Sequence, residues 1–98
     1  MKLALNKLRI LIADDSEMIR HALNDLLAKD SDQWAVCGEV NNGEDAVREA
    51  QTLRPDVVLL DLSIPLLNGV TVATTIRRDY PDVKVMLMSE QVPLYCHA

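Results

Sequence analysis

Four oxygen-bearing side chains stand where apolar runs of the chain stop. Asp14 and Asp15 follow the run in "RILIADD", Asp61 comes near the end of "DVVLLDL", and Ser89 ends "VKVMLMS". Two carboxylates about 4 Å apart repel by roughly 4 kcal/mol at an effective dielectric near 20, so three brought together either raise one another's pKa values or require a cation. Oxygen ligands with room for water suit Mg²⁺, whereas zinc would want His or Cys, which these positions lack. A carboxylate beside such an ion, at a water-accessible strand end, is a nucleophile toward phosphorus and can form an acyl phosphate. Ser89 is a hydrogen-bond donor to a phosphoryl oxygen. That chemistry requires the four residues to meet in space.

The elements between them provide the means. Residues 9–15 and 56–62 read as strands covered on both faces, because their apolar residues run on without alternating. Between them, "SEMIRHALNDLLAKD" spaces Ile19, Ala22, Leu23, Leu26 and Leu27 as one helical stripe, with Ser16 as its cap and Arg20, Asn24 and Asp25 on the other side. "WAVCGEV", residues 34–40, reads as an edge strand because Gly38 and Glu39 interrupt it. Asn41, Asn42 and Gly43 read as a turn into a helix carrying Ala46, Val47, Ala50 and Leu53, which Pro55 stops. "NGVTVATTIRRDY" offers Val72, Ala73 and Ile76 as a third helix face, ended by Pro81, and a fourth strand runs to Ser89.

Strand and helix thus alternate, which predicts an α/β fold with an open parallel sheet and crossover helices. Short right-handed connections favour the order 2-1-3-4, with the chain changing direction between strands one and three. Ligands of such sheets bind beyond the strand C-termini at that switch point. Asp14, Asp15, Asp61 and Ser89 all lie at those ends, so one crevice is expected to hold them.

Composition narrows the function classes. The 98 residues suit one small domain. With 49% apolar and 26% charged residues, the chain lacks the low hydrophobicity that marks disorder. A net charge of −5 argues against direct binding of nucleic acid or an anionic membrane. The N-terminal apolar stretch is interrupted by Asn6 and Lys7 before a signal core forms, and no run reaches transmembrane length, so a cytoplasmic protein is expected. Cys37 and Cys96 have neither metal spacing nor a disulfide framework; the expectations are a buried thiol and a surface thiol. His21 reads as a solvated or half-buried helical residue, Arg77 and Arg78 as a solvated face, and Met86 and Met88 as packing.

"ADDS" after the first strand, "DLSIPLLNG" with Pro65 and Gly69 beyond Asp61, and Ser89 after "VMLM" together resemble the receiver domain of bacterial two-component response regulators. The resemblance covers about residues 9–90, leaving 1–8 as an N-terminal extension and 91–98 as an irregular tail. It implies a flavodoxin-like fold, with Asp61 as phosphoacceptor and Mg²⁺ ligand, Asp15 as a direct Mg²⁺ ligand, Asp14 as a ligand or water-mediated partner, the Ser63 backbone carbonyl completing the protein ligands, and Ser89 as the switch hydroxyl. It also implies a sensor histidine kinase or phosphotransfer protein as phosphate donor, in a phosphorelay. Phosphotransfer and slow autodephosphorylation would be its only enzymology. The stretch from Glu39 to Leu62 looks most like receivers joined to a helix-turn-helix output domain.

The pattern also departs from that family. Receivers carry a lysine and an aromatic switch residue on a fifth strand, followed by a last helix, and residues 91–98, "QVPLYCHA", do not match these. The lysines are Lys2, Lys7, Lys29 and Lys84, and Lys84 begins the fourth strand, remote from the site. Two expectations follow: impaired phosphorylation, and a homo-oligomer that covers the apolar edge of strand four with help from "VPLY". The alternative function is a non-phosphorylatable receiver acting as a dimerisation or interaction module. A small phosphohydrolase is a remote third, since Ser63 stands where such enzymes place a second acid or base.

Overall fold

The computed structural model describes residues 7–89. Its elements are β1 (Leu8–Ala13), α1 (Glu17–Ala28), β2 (Trp34–Val40), α2 (Gly43–Leu53), β3 (Val57–Asp61), α3 (Gly69–Asp79) and β4 (Lys84–Met88). The strands pair in parallel in the order β2-β1-β3-β4, as the alternation of elements predicts. The first strand is shorter than "RILIADD" suggests, because Asp14 and Asp15 have already left the ladder. Ser89 likewise lies just past β4.

β1 and β3 are central, and their sequences explain why. Leu11, Ile12, Ala13, Val58 and Leu60 are fully buried, which a strand reaches only when both faces are covered. Leu11, Ala13, Val58 and Leu60 meet Ala46 and Ala50 of α2 and Val72 and Ile76 of α3 in the main core. Ile10 and Ile12, one step out of phase, lie on the opposite face. Each large side chain buried here contributes about 1.5–3 kcal/mol. The edge reading of β2 also holds, and its register slips between Ile10 and Leu11 of β1, so that Cys37 has no direct partner beside Gly38.

Each helix begins on a side-chain cap. Ser16 Oγ accepts from the Ile19 N–H (3.2 Å), Asn42 Oδ1 from Asp45 (2.8 Å) and Asn68 Oδ1 from Thr71 (3.0 Å). α2 ends at Arg54 in the left-handed region (φ 46°), directly before Pro55, and the Arg54 guanidinium lies 4.3 Å from the centre of the Tyr80 ring. Arg77 and Arg78 occupy the last turn of α3, where cations suit the helix dipole.

Three expectations need correction. The stripe of α1 is not a buried face: none of its residues is buried, and Ala22 and Leu26 are exposed, because the main core forms on the α2 and α3 side of the sheet. Arg20 and Asn24 do not simply face water; both are half-buried and bonded to Glu39 of β2. Cys37 is half-buried, since β2 is an edge strand. The residues "VPLY" and Cys96 lie outside the described residues, and no described helix is long and apolar enough to cross a membrane.

Candidate functional site: three carboxylates at the strand ends

The ends of β1 and β3 bring Asp14, Asp15 and Asp61 together, with one carboxylate oxygen of each lying within 4.8 Å of the others. Asp14 and Asp61 are buried, at 5% and 8% exposure, while Asp15 is exposed. The cluster is therefore sunk in the protein on two sides and open on the third. Hydrogen bonds fix the two buried members. Asp14 Oδ1 accepts from the Ser16 N–H at 2.8 Å, and Asp61 Oδ1 accepts from the Ser63 N–H at 2.9 Å. Both are short loops folding back on the aspartate that closes a strand, a habit of Asp at turns.

The backbone around them is tied to neighbouring elements. The Asp14 N–H donates to the Val40 carbonyl (3.1 Å), joining the β1 end to β2. The Asp14 carbonyl accepts from Arg20 Nη1 (2.7 Å), and Arg20 Nε lies 3.3 Å from Glu39 Oε1. After Asp61, the Leu62 N–H donates to the Met88 carbonyl (2.9 Å), which brings Ser89 in one residue further along β4. Ser89 is half-buried there, at the strand end that the sequence pattern assigns it.

The loop from β3 to α3 is held by two close approaches. The Gly43 N–H donates to the Pro65 carbonyl (2.8 Å), and the Gly69 N–H to the Leu62 carbonyl (3.2 Å). A Cβ on Gly43 would lie 2.0 Å from the Leu67 oxygen, and one on Gly69 would lie 2.6 Å from Leu62 Cα. Leu66, between them, takes φ 72°, a left-handed conformation that costs a branched residue about 1–2 kcal/mol.

The structure thus assembles Asp14, Asp15 and Asp61 as the motif positions suggest, with Ser89 at the neighbouring strand end. For Ser63, the contact seen is its N–H on Asp61. Sequence reasoning placed Arg20 on the polar side of α1, read Gly43 first as turn chemistry with the site's rim as the lesser reading, and passed over Leu66. Gly43 had a local signal in the Asn-Asn-Gly turn, whereas nothing near Arg20 or Leu66 in the chain announces a contact with a strand end. Hard oxygen donors set this close fit a small divalent cation such as Mg²⁺. His21 is not among them: it is exposed on α1, 3.7 Å from Asp25.

A parallel α/β sheet in the order 2-1-3-4, with an acidic cluster at its switch point, belongs to the flavodoxin-like class of α/β domains. The family model for the response regulator receiver domain matches residues 10–94, and the chain belongs to that family. Over 87 residues it is 38% identical to a protein-glutamate methylesterase/protein-glutamine glutaminase of Pyrococcus abyssi, covering 89% of this chain and 23% of that protein. Over 82 residues it is 34% identical to the response regulator GacA of Pseudomonas viridiflava, covering 84% of this chain and 38% of that protein. The signal receiver domain of the putative response regulator NarL from Mycobacterium tuberculosis superposes with a TM-score of 0.83 at 30% identity, covering 90% of this chain and 70% of that one. The chain therefore spans well under half the length of these two curated relatives. Receiver domains of this family take phosphate from histidine kinases or phosphotransfer proteins and bind Mg²⁺ at an acidic site.

Proposed function

We propose that this chain is a Mg²⁺-dependent phosphoacceptor whose Asp61 takes a phosphoryl group from a sensor histidine kinase or phosphotransfer protein. The observation that carries this reading is the meeting of three carboxylates at the ends of β1 and β3, with Asp61 buried and held through one oxygen only by Ser63. Its other oxygen, Oδ2, is the nucleophile. Asp14, Asp15, Asp61 and the Ser63 carbonyl would hold the ion, which when bound offsets the charge that phosphoryl oxygens bring into the cluster.

In the transfer, an Asp61 oxygen forms a bond to phosphorus as the P–N bond of the donor imidazole breaks. The electron pair returns to the ring nitrogen, which takes up a proton from water. Ser89, beside the site, donates a hydrogen bond to a phosphoryl oxygen. Hydrolysis then breaks the O–P bond, restores the Asp61 carboxylate and releases inorganic phosphate.

One observation favours the second reading, an interaction module without productive phosphorylation. Lys7, Lys29 and Lys84, the described lysines, all lie toward the N-terminal ends of the strands, away from the carboxylates. One experiment separates the two readings. The protein is incubated with Mg²⁺ and acetyl phosphate, and intact mass is measured beside an Asp61→Asn control. A phosphate adduct that the control lacks supports the phosphoacceptor, and no adduct at saturating Mg²⁺ overturns it in favour of the module.

A further inference from the structure

Of the three carboxylates, Asp15 has the least to hold it. Ser16 fixes Asp14 and Ser63 fixes Asp61 through their N–H groups. Among the described residues no hydrogen bond or ion pair reaches the Asp15 side chain, which is exposed. Its direction is therefore set by the backbone on which it stands. The peptide between Asp14 and Asp15 is planar, so fixing the Asp14 carbonyl oxygen fixes the whole plane, including the Asp15 N–H. The way that plane is turned places the Asp15 N and Cα and, with the Asp15 φ, decides where its Cβ points.

The Asp14 carbonyl is gripped by Arg20 Nη1 at 2.7 Å, a charge-assisted bond from an arginine whose side chain is 17% exposed. Arg20 is itself held in place. Its Nε meets Glu39 Oε1 at 3.3 Å, while the second Glu39 oxygen accepts from Asn24 Nδ2 at 2.8 Å, and Asn24 Nδ2 also reaches the Arg20 carbonyl at 3.0 Å. The contacts run from Asn24 and Glu39 through Arg20 to the peptide that carries Asp15, and they join α1, β2 and the end of β1. An exposed ion pair would have little effect, but this arrangement uses Glu39 to aim a partly buried donor at one backbone oxygen.

We infer that Arg20 is a positioning residue for the metal site: by holding the Asp14 carbonyl it presets the Asp15 carboxylate toward Asp14 and Asp61. The inference rests on the reading of those three residues as a Mg²⁺ site. Outer partners that orient a ligand typically change metal affinity by about 10–100-fold when removed. Because Arg20 acts through backbone, the lower end applies, about tenfold.

The test is titration of the full chain with Mg²⁺ by calorimetry, with urea unfolding measured in parallel. Arg20→Met is expected to weaken Mg²⁺ binding about tenfold. Arg20→Lys should recover part of the loss, since an ammonium can reach the carbonyl but cannot also pair with Glu39 in the same geometry. Glu39→Gln should fall between the parent and Arg20→Met, and with Arg20→Lys it carries the test if Arg20→Met does not fold. Leu23→Ala, a half-buried change on the same helix, should lower the unfolding midpoint and leave Mg²⁺ affinity within about twofold. Parent-like Mg²⁺ affinity in Arg20→Met, or an equal loss in Leu23→Ala, overturns the positioning role while the metal site stands. A parent chain that binds no Mg²⁺ overturns the metal-site reading and this inference with it.

Discussion

Replacing Gly43 by alanine tests how the loop that follows Asp61 is held. On helix propensity alone the change should help, since Gly to Ala inside a helix gains about 1 kcal/mol and the gain at a first helical residue is smaller. The backbone at Gly43 also poses no obstacle, because no described glycine has a positive φ. The objection is contact. The new Cβ would meet the Leu67 oxygen at 2.0 Å, Leu67 Cβ at 2.7 Å and the Leu67 carbonyl carbon at 2.8 Å, and two of these three atoms are backbone. Real Cβ atoms essentially never approach closer than 3.0 Å, so the Leu67 carbonyl must retreat by at least the difference, 3.0 − 2.0 = 1.0 Å. That shift pulls on the Gly43 N–H to Pro65 carbonyl bond, at 2.8 Å. Overpacking of this kind costs about 1–3 kcal/mol and a weakened hydrogen bond about 1 kcal/mol, so the net expectation is a loss of about 2–3 kcal/mol. Urea unfolding followed by far-UV circular dichroism reads it as a lower midpoint at unchanged slope. Gly38→Ala is the matched control: its Cβ meets only the side-chain ends Leu53 Cδ1 (2.9 Å) and Leu11 Cδ1 (3.3 Å), which can move, so its loss should be clearly smaller. A Gly43→Ala protein as stable as its parent would refute the claim that α2 and the β3–α3 loop are in obligatory contact.

Four further outcomes are expected. Asp61→Asn should raise the urea midpoint in EDTA by the equivalent of about 1–3 kcal/mol, by relieving like-charge repulsion within the cluster, and saturating Mg²⁺ should narrow or reverse the gap; a parent more stable than the variant in EDTA contradicts the repulsion argument. Ile76→Ala, which empties a fully buried site between α3 and the sheet, should cost about 2–5 kcal/mol in the same assay, and a loss below 1 kcal/mol would mean that this core is loosely packed. Burial pushes the Cys37 thiol above its ordinary range, with Arg9 opposing, so in a Cys96→Ser background its alkylation should be slower than that of a peptide thiol at pH 8 and should keep accelerating beyond the pH where the peptide levels off; equal rates would refute this. Light scattering over micromolar concentrations should show self-association through β4, the last strand of the described sheet, with Met86 half exposed on it, and a monomer throughout would remove that proposal.

Much of this fold can be read from local patterns. The unbroken apolar runs around Leu11 and Leu60 belong to strands covered on both faces, and the Gly38–Glu39 interruption belongs to an edge; these residues carry their burial in their own types. Asp14, Asp15 and Asp61 were legible for a related reason, since a charge that ends such a run must sit at the strand's end, and topology brings those ends together. What sequence could not show is how each helix face is covered. Ile19, Leu23 and Leu27 of α1 space themselves like those of a core helix, yet none is buried, because burial depends on what packs against them. Arg20 looked like a solvent residue by the same periodicity, and its bond to the Asp14 carbonyl depends on the path of the chain between β1 and α1.

The two carboxylates that close central strands are supported unequally. Asp61 leads into the loop before α3, a helix whose Val72 and Ile76 are fully buried, and that loop is pinned by glycine contacts to α2 and the end of β3. Asp14 and Asp15 lead instead into α1, a helix with no buried residue, so apolar packing does little to fix their loop. Polar bonds take its place: the Ser16 N–H on Asp14, the Val40 carbonyl and the Arg20 grip. Regions with few buried apolar contacts are those that open first. Native-state hydrogen exchange should therefore find the Ser16 and Arg20 amides less protected than those of Leu60 and Ile76, with the Asp14–Asp15 side of the cluster loosening before the Asp61 side.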